Sequence, residues 1–459
     1  MPLFSFRAAG GGAAAAARSA SAVAYPLVKV LAFAALLVAG GACTGSGETG
    51  GEAGVVRLTY WPAQNEHERR LATELAEAWN REHPGVQVAV QPLPAGQSSE
   101  EVLLAAVVAG TTPDVCSNVW PGIVSHLVRA GGVLPFDRFA DSDSLLASRI
   151  PEALLGHFRA EDGRYYQIPW KTNPTMMMYN KRLFREAGYT EPPASYSEYL
   201  AAAAHVTKDL NGDGQVDRWI GYRDIRPIWW QRYFDFYPFY IGASGGRTFF
   251  EDGELALDTA AAARVFSFFR ELYGQRYFPL TTYQGSAFLA ETIATEFTGP
   301  YNVSWMEENA PPEMEYGFAP LPAPDGHEGP LYTYGDFKNI AIFANTKHPD
   351  EAWAFARYLV SKEADLKLLE TTRQIPVRRD LLDDSTFADF FRRNPDVVPF
   401  ARQAEYTRGV DSVPSFQEML DAIAQEFEAS AVYGVRTPRE STLGAIRRIN
   451  MIHEWSLAD

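Results

Sequence analysis

Cysteine is almost missing from this sequence, with Cys43 and Cys116 the only two among 459 residues. A disulfide framework therefore cannot hold the fold if either thiol is used elsewhere. Acidic residues are missing from the first 42 positions, which contain Arg7, Arg18 and Lys29. Long apolar runs are missing too: the stretch 30–39 is half the ~20 residues that a permanent bilayer span requires. Positive charge is scarce, with 41 Lys and Arg against 57 Asp and Glu for a net charge of −16. Phosphate backbones need a basic surface, so a nucleic-acid partner is excluded. What remains, 46% hydrophobic and 21% charged, is an ordinary globular balance with length enough for two domains.

The basic start, the short apolar run and the small residues that follow have the layout of an export signal, assigned to residues 1–42. Its end, Gly40-Gly-Ala-Cys43, resembles the lipobox of bacterial lipoproteins, in which the cysteine is diacylated and becomes the new N-terminus. Gly40 stands where that motif usually has Leu. The resemblance implies lipidation at Cys43 and a place at the outer face of the cell membrane or in the periplasm. Cys116 is then left single, and is expected to be buried and inert. Removing residues 1–42 takes away three positive charges and moves the net charge from −16 to −19. Residues 43–54, rich in Gly, Ser and Glu, read as a flexible tether.

Downstream, residues 55–60 read as a strand. Residues 66–83 place Leu71, Leu75, Ala78 and Trp79 at helical spacing, and a strand at 86–90, a helix at 100–109 and a strand from Pro113 follow. This alternation predicts an α/β architecture with helices on both faces of a mostly parallel sheet and a ligand crevice beyond the strand ends. A second α/β unit is expected from Met176 to Phe297, and helices dominate the rest.

Several segments together resemble the family 1 extracellular solute-binding proteins, the maltose- and trehalose-type sugar receptors of ABC importers. They include Leu58-Thr-Tyr-Trp61, Ala109-Gly-Thr-Thr-Pro-Asp-Val115, Ala130-Gly-Gly-Val-Leu-Pro-Phe-Asp137 and Tyr166-Gln-Ile-Pro169. Tyr179-Asn-Lys-Arg-Leu-Phe184, Phe297-Thr-Gly-Pro-Tyr301, Phe318-Ala-Pro-Leu-Pro322 and Ile375-Pro-Val-Arg-Arg379 continue the series. Their joint order covers essentially the whole mature chain. The resemblance implies a two-lobed periplasmic-binding-protein-like fold, each lobe a mostly parallel sheet flanked by helices, joined by three crossings near 171–174, 335–339 and 373–376. Lobe one would combine 55–171 with 338–373, and lobe two 172–337 with 374–459. It also implies a monomeric binder that delivers a sugar or oligosaccharide to ABC permease subunits by open-to-closed capture, touching the membrane only through its lipid.

A pyranose offers apolar C–H faces and hydroxyls, so its cleft should mix aromatic rings with amide and charged side chains. By match to the family, the candidate ligand residues are Gln64, Asn65, Asn118, Trp120, Asn173, Trp229, Trp230, Tyr301, Tyr334 and Asp336. Trp229, Trp230 and Tyr301 are expected in loops or at strand ends, and Trp79 and Trp353 in the core. Phe416 and Leu420 stand in the last helical region where some sugar receptors place a stacking Trp. No cofactor is required.

Asp209, Asn211, Asp213, Gln215 and Asp217, with Gly214 in sixth place, match the first nine positions of a calcium-binding EF-hand loop. Position twelve is Ile220 instead of Glu, which leaves calcium or a plain Asx-Gly turn as alternatives. Enzyme signatures fail. His67-Glu-Arg-Arg-Leu71 lacks the second His of a zinc protease helix. Gly242-Ala-Ser-Gly-Gly246 matches a nucleophile elbow without the required buried strand before it. The chain is read as a non-enzyme; the alternative is a secreted carbohydrate-active hydrolase.

Overall fold

A computed structural model describes residues 54–94, 98–226, 229–251 and 253–458. The export signal, Cys43 and nearly all of the tether lie outside the described residues. Among the described residues no helix is long and apolar enough to cross a membrane.

Nine strands and nine helices, among others in the described residues, build the sheets and the layers packed on them. The strands are β1 (Val56–Trp61), β2 (Val86–Val90), β3 (Val115–Val119), β4 (Ile168–Thr172), β5 (Met176–Asn180), β6 (Thr295–Thr298), β7 (Tyr316–Ala319), β8 (Lys338–Ile342) and β9 (Ile375–Pro376). The helices are α1 (Glu66–Glu82), α2 (Ser99–Ala109), α3 (Trp229–Ala243), α4 (Thr259–Gly274), α5 (Tyr301–Asn309), α6 (Pro349–Leu359), α7 (Lys362–Thr372), α8 (Phe416–Phe427) and α9 (Pro438–Ala458).

Two sheets result. The first runs β9-β4-β8-β3-β1-β2 and the second β6-β5-β7. The segment β2-β1-β3 is parallel, as the alternation of strands with α1 and α2 requires. Beyond it the pairing differs from the expected mostly parallel sheets. Strand β8 is antiparallel to both β3 and β4, β9 is antiparallel to β4, and β5 is antiparallel to both its neighbours. Strands β5 and β8 arrive from the other sheet instead of through a crossover helix, which leaves them free to run backwards, and β9, reached from β8 through α6 and α7, keeps the direction of β8. Pairing of Ile375 and Pro376 with β4 also carries the first sheet past residue 373.

Local chemistry explains the elements. In β1, Leu58 and Tyr60 alternate inward and are fully buried. Asn65 caps α1 by accepting from the Glu68 N–H, and Leu71, Ala72, Leu75, Ala76 and Trp79 form its inner stripe. Trp79 and Trp353 are core residues. Asp114 fixes the start of β3: its carboxylate accepts the Thr59 N–H at 2.7 Å and the Thr59 hydroxyl at 2.8 Å. The buried Cys116 thiol is pushed up to about 12 by desolvation, which keeps it protonated and unreactive.

The lobes meet where the chain passes between sheets. Residues 173–175 link β4 to β5, and the Thr175 N–H donates to the Tyr334 carbonyl at 2.9 Å. The Asp336 N–H donates to the Asn173 carbonyl at 3.2 Å, so two passages are stitched together. At Gly335 a Cβ would lie 2.4 Å from Thr172 Oγ1 and 2.8 Å from Thr407 Cβ, so only glycine allows this approach.

Candidate ligand-binding site

A cavity of about 900 Å3 opens between the two sheets, large enough for a small oligosaccharide. Its floor belongs to the first sheet and α1. Lys171 of β4 is fully buried, with Nζ 2.5 Å from Glu68 Oε1 on α1. The same oxygen accepts from Gln374 Nε2 at 2.9 Å and Asn65 Nδ2 at 3.1 Å. Burial works to raise the Glu68 carboxyl, but the Lys171 ammonium and the hydrogen bonds from Gln374 and Asn65 together outweigh it and hold the group below its usual range.

Beside it a hydrogen-bonded chain sets Asp336. Trp120 Nε1 donates to the Tyr334 hydroxyl at 3.0 Å, and that hydroxyl donates to Asp336 Oδ1 at 3.1 Å. Lys338 Nζ stands 3.6 Å from Asp336 Oδ1 and 3.8 Å from Glu100 Oε1. Burial would lower the Lys338 ammonium; Asp336 and Glu100 outweigh it and raise it.

The opposite wall is aromatic. Tyr301 and Trp305 lie one turn apart on α5, Trp230 stands in the first turn of α3, and all three rings are partly open on the cavity. Phe234 and Phe297 line the cavity as well. Tyr301 sits directly on backbone, because a Cβ at Gly299 would be 2.6 Å from Tyr301 Cε1. The ring thus rests against the backbone while about half of the residue stays exposed. Burial of the hydroxyl end raises its pKa, with Asp336 and Glu296 adding to the effect.

Of the residues read from the sequence, Asn65, Asn118, Asn173, Trp230, Tyr301 and Asp336 are brought together around this cavity. Trp120 and Tyr334 are buried behind it and act by positioning Asp336. Gln64 is exposed and spends its amide on the Leu93 and Pro94 carbonyls, outside the wall. Trp229 is the first residue of α3. That corrects its expected place in a loop, as it does for Trp230; Tyr301 likewise opens a helix. The aromatic spacing of Tyr233, Phe236, Tyr237 and Tyr240 supplies a buried helical stripe that tolerates Pro238 inside α3. Phe416 and Leu420 are fully buried on α8, which α9 follows, so neither faces a ligand.

Glu68, Gln231, Glu296, Trp305, Lys338 and Gln374 also line the cavity, though the sequence reading did not select them. Trp305 was legible as the i+4 partner of Tyr301. The others required knowledge of which strands and helices face each other.

The acidic loop is closed on itself. Asp209 accepts the N–H groups of Asn211, Gly212 and Gly214, and Asp217 accepts those of Leu210 and Asn211. Those bonds, Gly214 first, hold the Asp209 carboxyl below its usual range. Among the described residues no three His, Cys, Asp or Glu side chains are grouped to hold a metal. The elbow-like motif ends α3: Ser244 Oγ donates to carbonyls of Ile241 and Arg247 and is not presented to the cavity.

The sequence profile described as bacterial extracellular solute-binding protein matches residues 64–365, well over half of the chain. The chain belongs to that family. Members of this solute-binding family are receptors rather than enzymes, and the family works outside the cell or in the periplasm with ABC transporters. The chain is 26% identical over 366 residues to the maltotriose-binding protein of Pyrococcus abyssi, covering 77% of this chain and 73% of that one. It is 22% identical over 396 residues to the sn-glycerol-3-phosphate-binding periplasmic protein of Rhizobium meliloti, covering 81% and 88%. The cyclic alpha-maltosyl-1,6-maltose binding protein of Arthrobacter globiformis superposes with a TM-score of 0.73 at 20% identity, covering 87% of this chain and all of that one. That likeness establishes the two-lobed fold.

Proposed function

We propose that this solute-binding protein captures an oligosaccharide in the cavity between its sheets and presents it, unmodified, to the permease of an ABC importer. The observation that carries this reading is Tyr301, a ring held against Gly299 yet about half exposed, in one cavity with Asn118, Asn173 and Asp336. Such an arrangement complements a pyranose, with one apolar face and a rim of hydroxyls. Contacts from both walls stabilise a closed form over an open one, and the permease reads that difference. Capture needs no cofactor, and calcium at the 209–217 loop would affect stability alone.

In this reading the export signal is removed, Cys43 is acylated, and the tether holds a monomer at the outer face of the membrane. The lobes divide near residues 171, 338 and 373. A thermal-shift screen tests the proposal: a cognate saccharide at a hundred times its Kd adds ~2.7 kcal/mol of stability. Chromatography of the incubated saccharide should return it intact. A shortened product would instead make the protein a hydrolase.

A further inference from the structure

Three residues that line the cavity each carry a buried oxygen acceptor with no hydrogen-bond partner among the described residues: Glu68 Oε2, Asn173 Oδ1 and Gln231 Oε1. Glu68 and Asn173 are more than nine-tenths buried as whole residues. The amide orientations are set by the other ends, since Asn173 Nδ2 donates to the Asp336 carbonyl at 3.2 Å and the Gln231 side chain bonds to Asp224. His67 Nδ1, also without a partner, can take either role. An unsatisfied buried acceptor is costly unless a ligand donor meets it.

The cations of the same wall are already committed. Arg223 binds Asp235 and the Phe297 carbonyl, and Lys338 faces Asp336 and Glu100. None of these described cations is left for an anionic ligand. Glu296 is the reverse case. It lies on β6 directly across from Met178, on the face occupied by the apolar cluster of Met178, Phe288, Ile293 and Met306. Glu296 lines the cavity, and among the described residues no hydrogen-bond donor meets its carboxylate.

We infer that this cleft selects ligands rich in O–H or N–H donors and free of negative charge, with Glu296 the specificity-determining acceptor. Neutral oligosaccharides and amino sugars share that chemistry; phosphorylated polyols do not. Burial raises the Glu296 carboxyl above its usual range and Arg223 only partly offsets this, consistent with a group that awaits a donor. The inference rests on the capture reading and narrows its ligand class.

The test is titration calorimetry of wild type and Glu296→Gln with maltotriose, an α-1,5-arabinotriose, glucosamine and sn-glycerol 3-phosphate. Wild type should bind at least one of the three sugars and give no heat of binding with the phosphate. Glu296→Gln should weaken the bound sugar about tenfold, the loss expected for one charged hydrogen bond, and more for glucosamine. Binding of sn-glycerol 3-phosphate by wild type would overturn the inference while leaving capture intact. So would sugar binding by Glu296→Gln equal to wild type. Failure of the capture reading is distinguishable, because it shows as no heat of binding with any of the three sugars or as cleavage of the sugar in the recovered titrant.

Discussion

Tyr301 lies over Gly299 so closely that a Cβ on Gly299 would fall 2.6 Å from Tyr301 Cε1. The glycine therefore fixes the height and tilt of the ring that faces the cavity. Gly299→Val should displace the ring and weaken saccharide binding by about 1–3 kcal/mol, close to the loss from removing the platform itself. Calorimetry of Gly299→Val beside Tyr301→Ala checks this. A Gly299→Val protein that binds like wild type would show that the ring position does not matter.

Glu68 and Lys171 join α1 to β4 under the cavity. Removing one partner leaves a buried, uncompensated charge, so Lys171→Met should cost about 3–5 kcal/mol, read from the denaturation midpoint. The double variant Glu68→Gln with Lys171→Met should recover much of that loss. Because the folded Glu68 carboxyl lies below its unfolded value, its contribution is present above the unfolded pKa and is lost as pH falls through the folded one. Wild type should thus lose more stability on acidification than Glu68→Gln.

Glu296 predicts the opposite pH behaviour. Its folded pKa is raised, so the ionised group weighs against folding at neutral pH and that burden is lifted as pH falls. Without ligand, Glu296→Gln should melt above wild type at pH 7, and the difference should vanish in acid. A lower melting temperature at pH 7 would mean that the carboxylate has a structural partner.

Much of the fold was legible because it follows from pattern. The stripe of Leu71, Leu75 and Trp79 and the alternation of β1 require no partner to be recognised. The antiparallel additions were not legible, since β5, β8 and β9 carry no local mark of their direction. In the site, Asn118, Asn173, Tyr301 and Asp336 sit next to readable breaks in the chain. Glu68 and Glu296 lie within regular elements, and only the packing of α1 against β4 and the register of β6 against β5 turn them toward the cavity. Trp120 and Gln64 illustrate the reverse: position in sequence brought them near the cleft, but burial and local hydrogen bonds took them off its wall.

The loop 209–217 is held by bonds from its own backbone to Asp209 and Asp217. Asp209→Ala should lower the melting temperature, whereas chelation with EDTA should leave wild type unchanged. A melting temperature that falls with EDTA and returns with calcium would place a cation in the loop.

The most direct test of saccharide capture is a calorimetric titration of wild type and Tyr301→Ala with maltotriose and an arabinotriose, with the sugar recovered and analysed afterwards. The account predicts saturable binding of one sugar per chain, at least about fivefold weaker affinity in Tyr301→Ala, and intact sugar in both. Equal affinity in the two proteins, or a cleaved sugar, would contradict it.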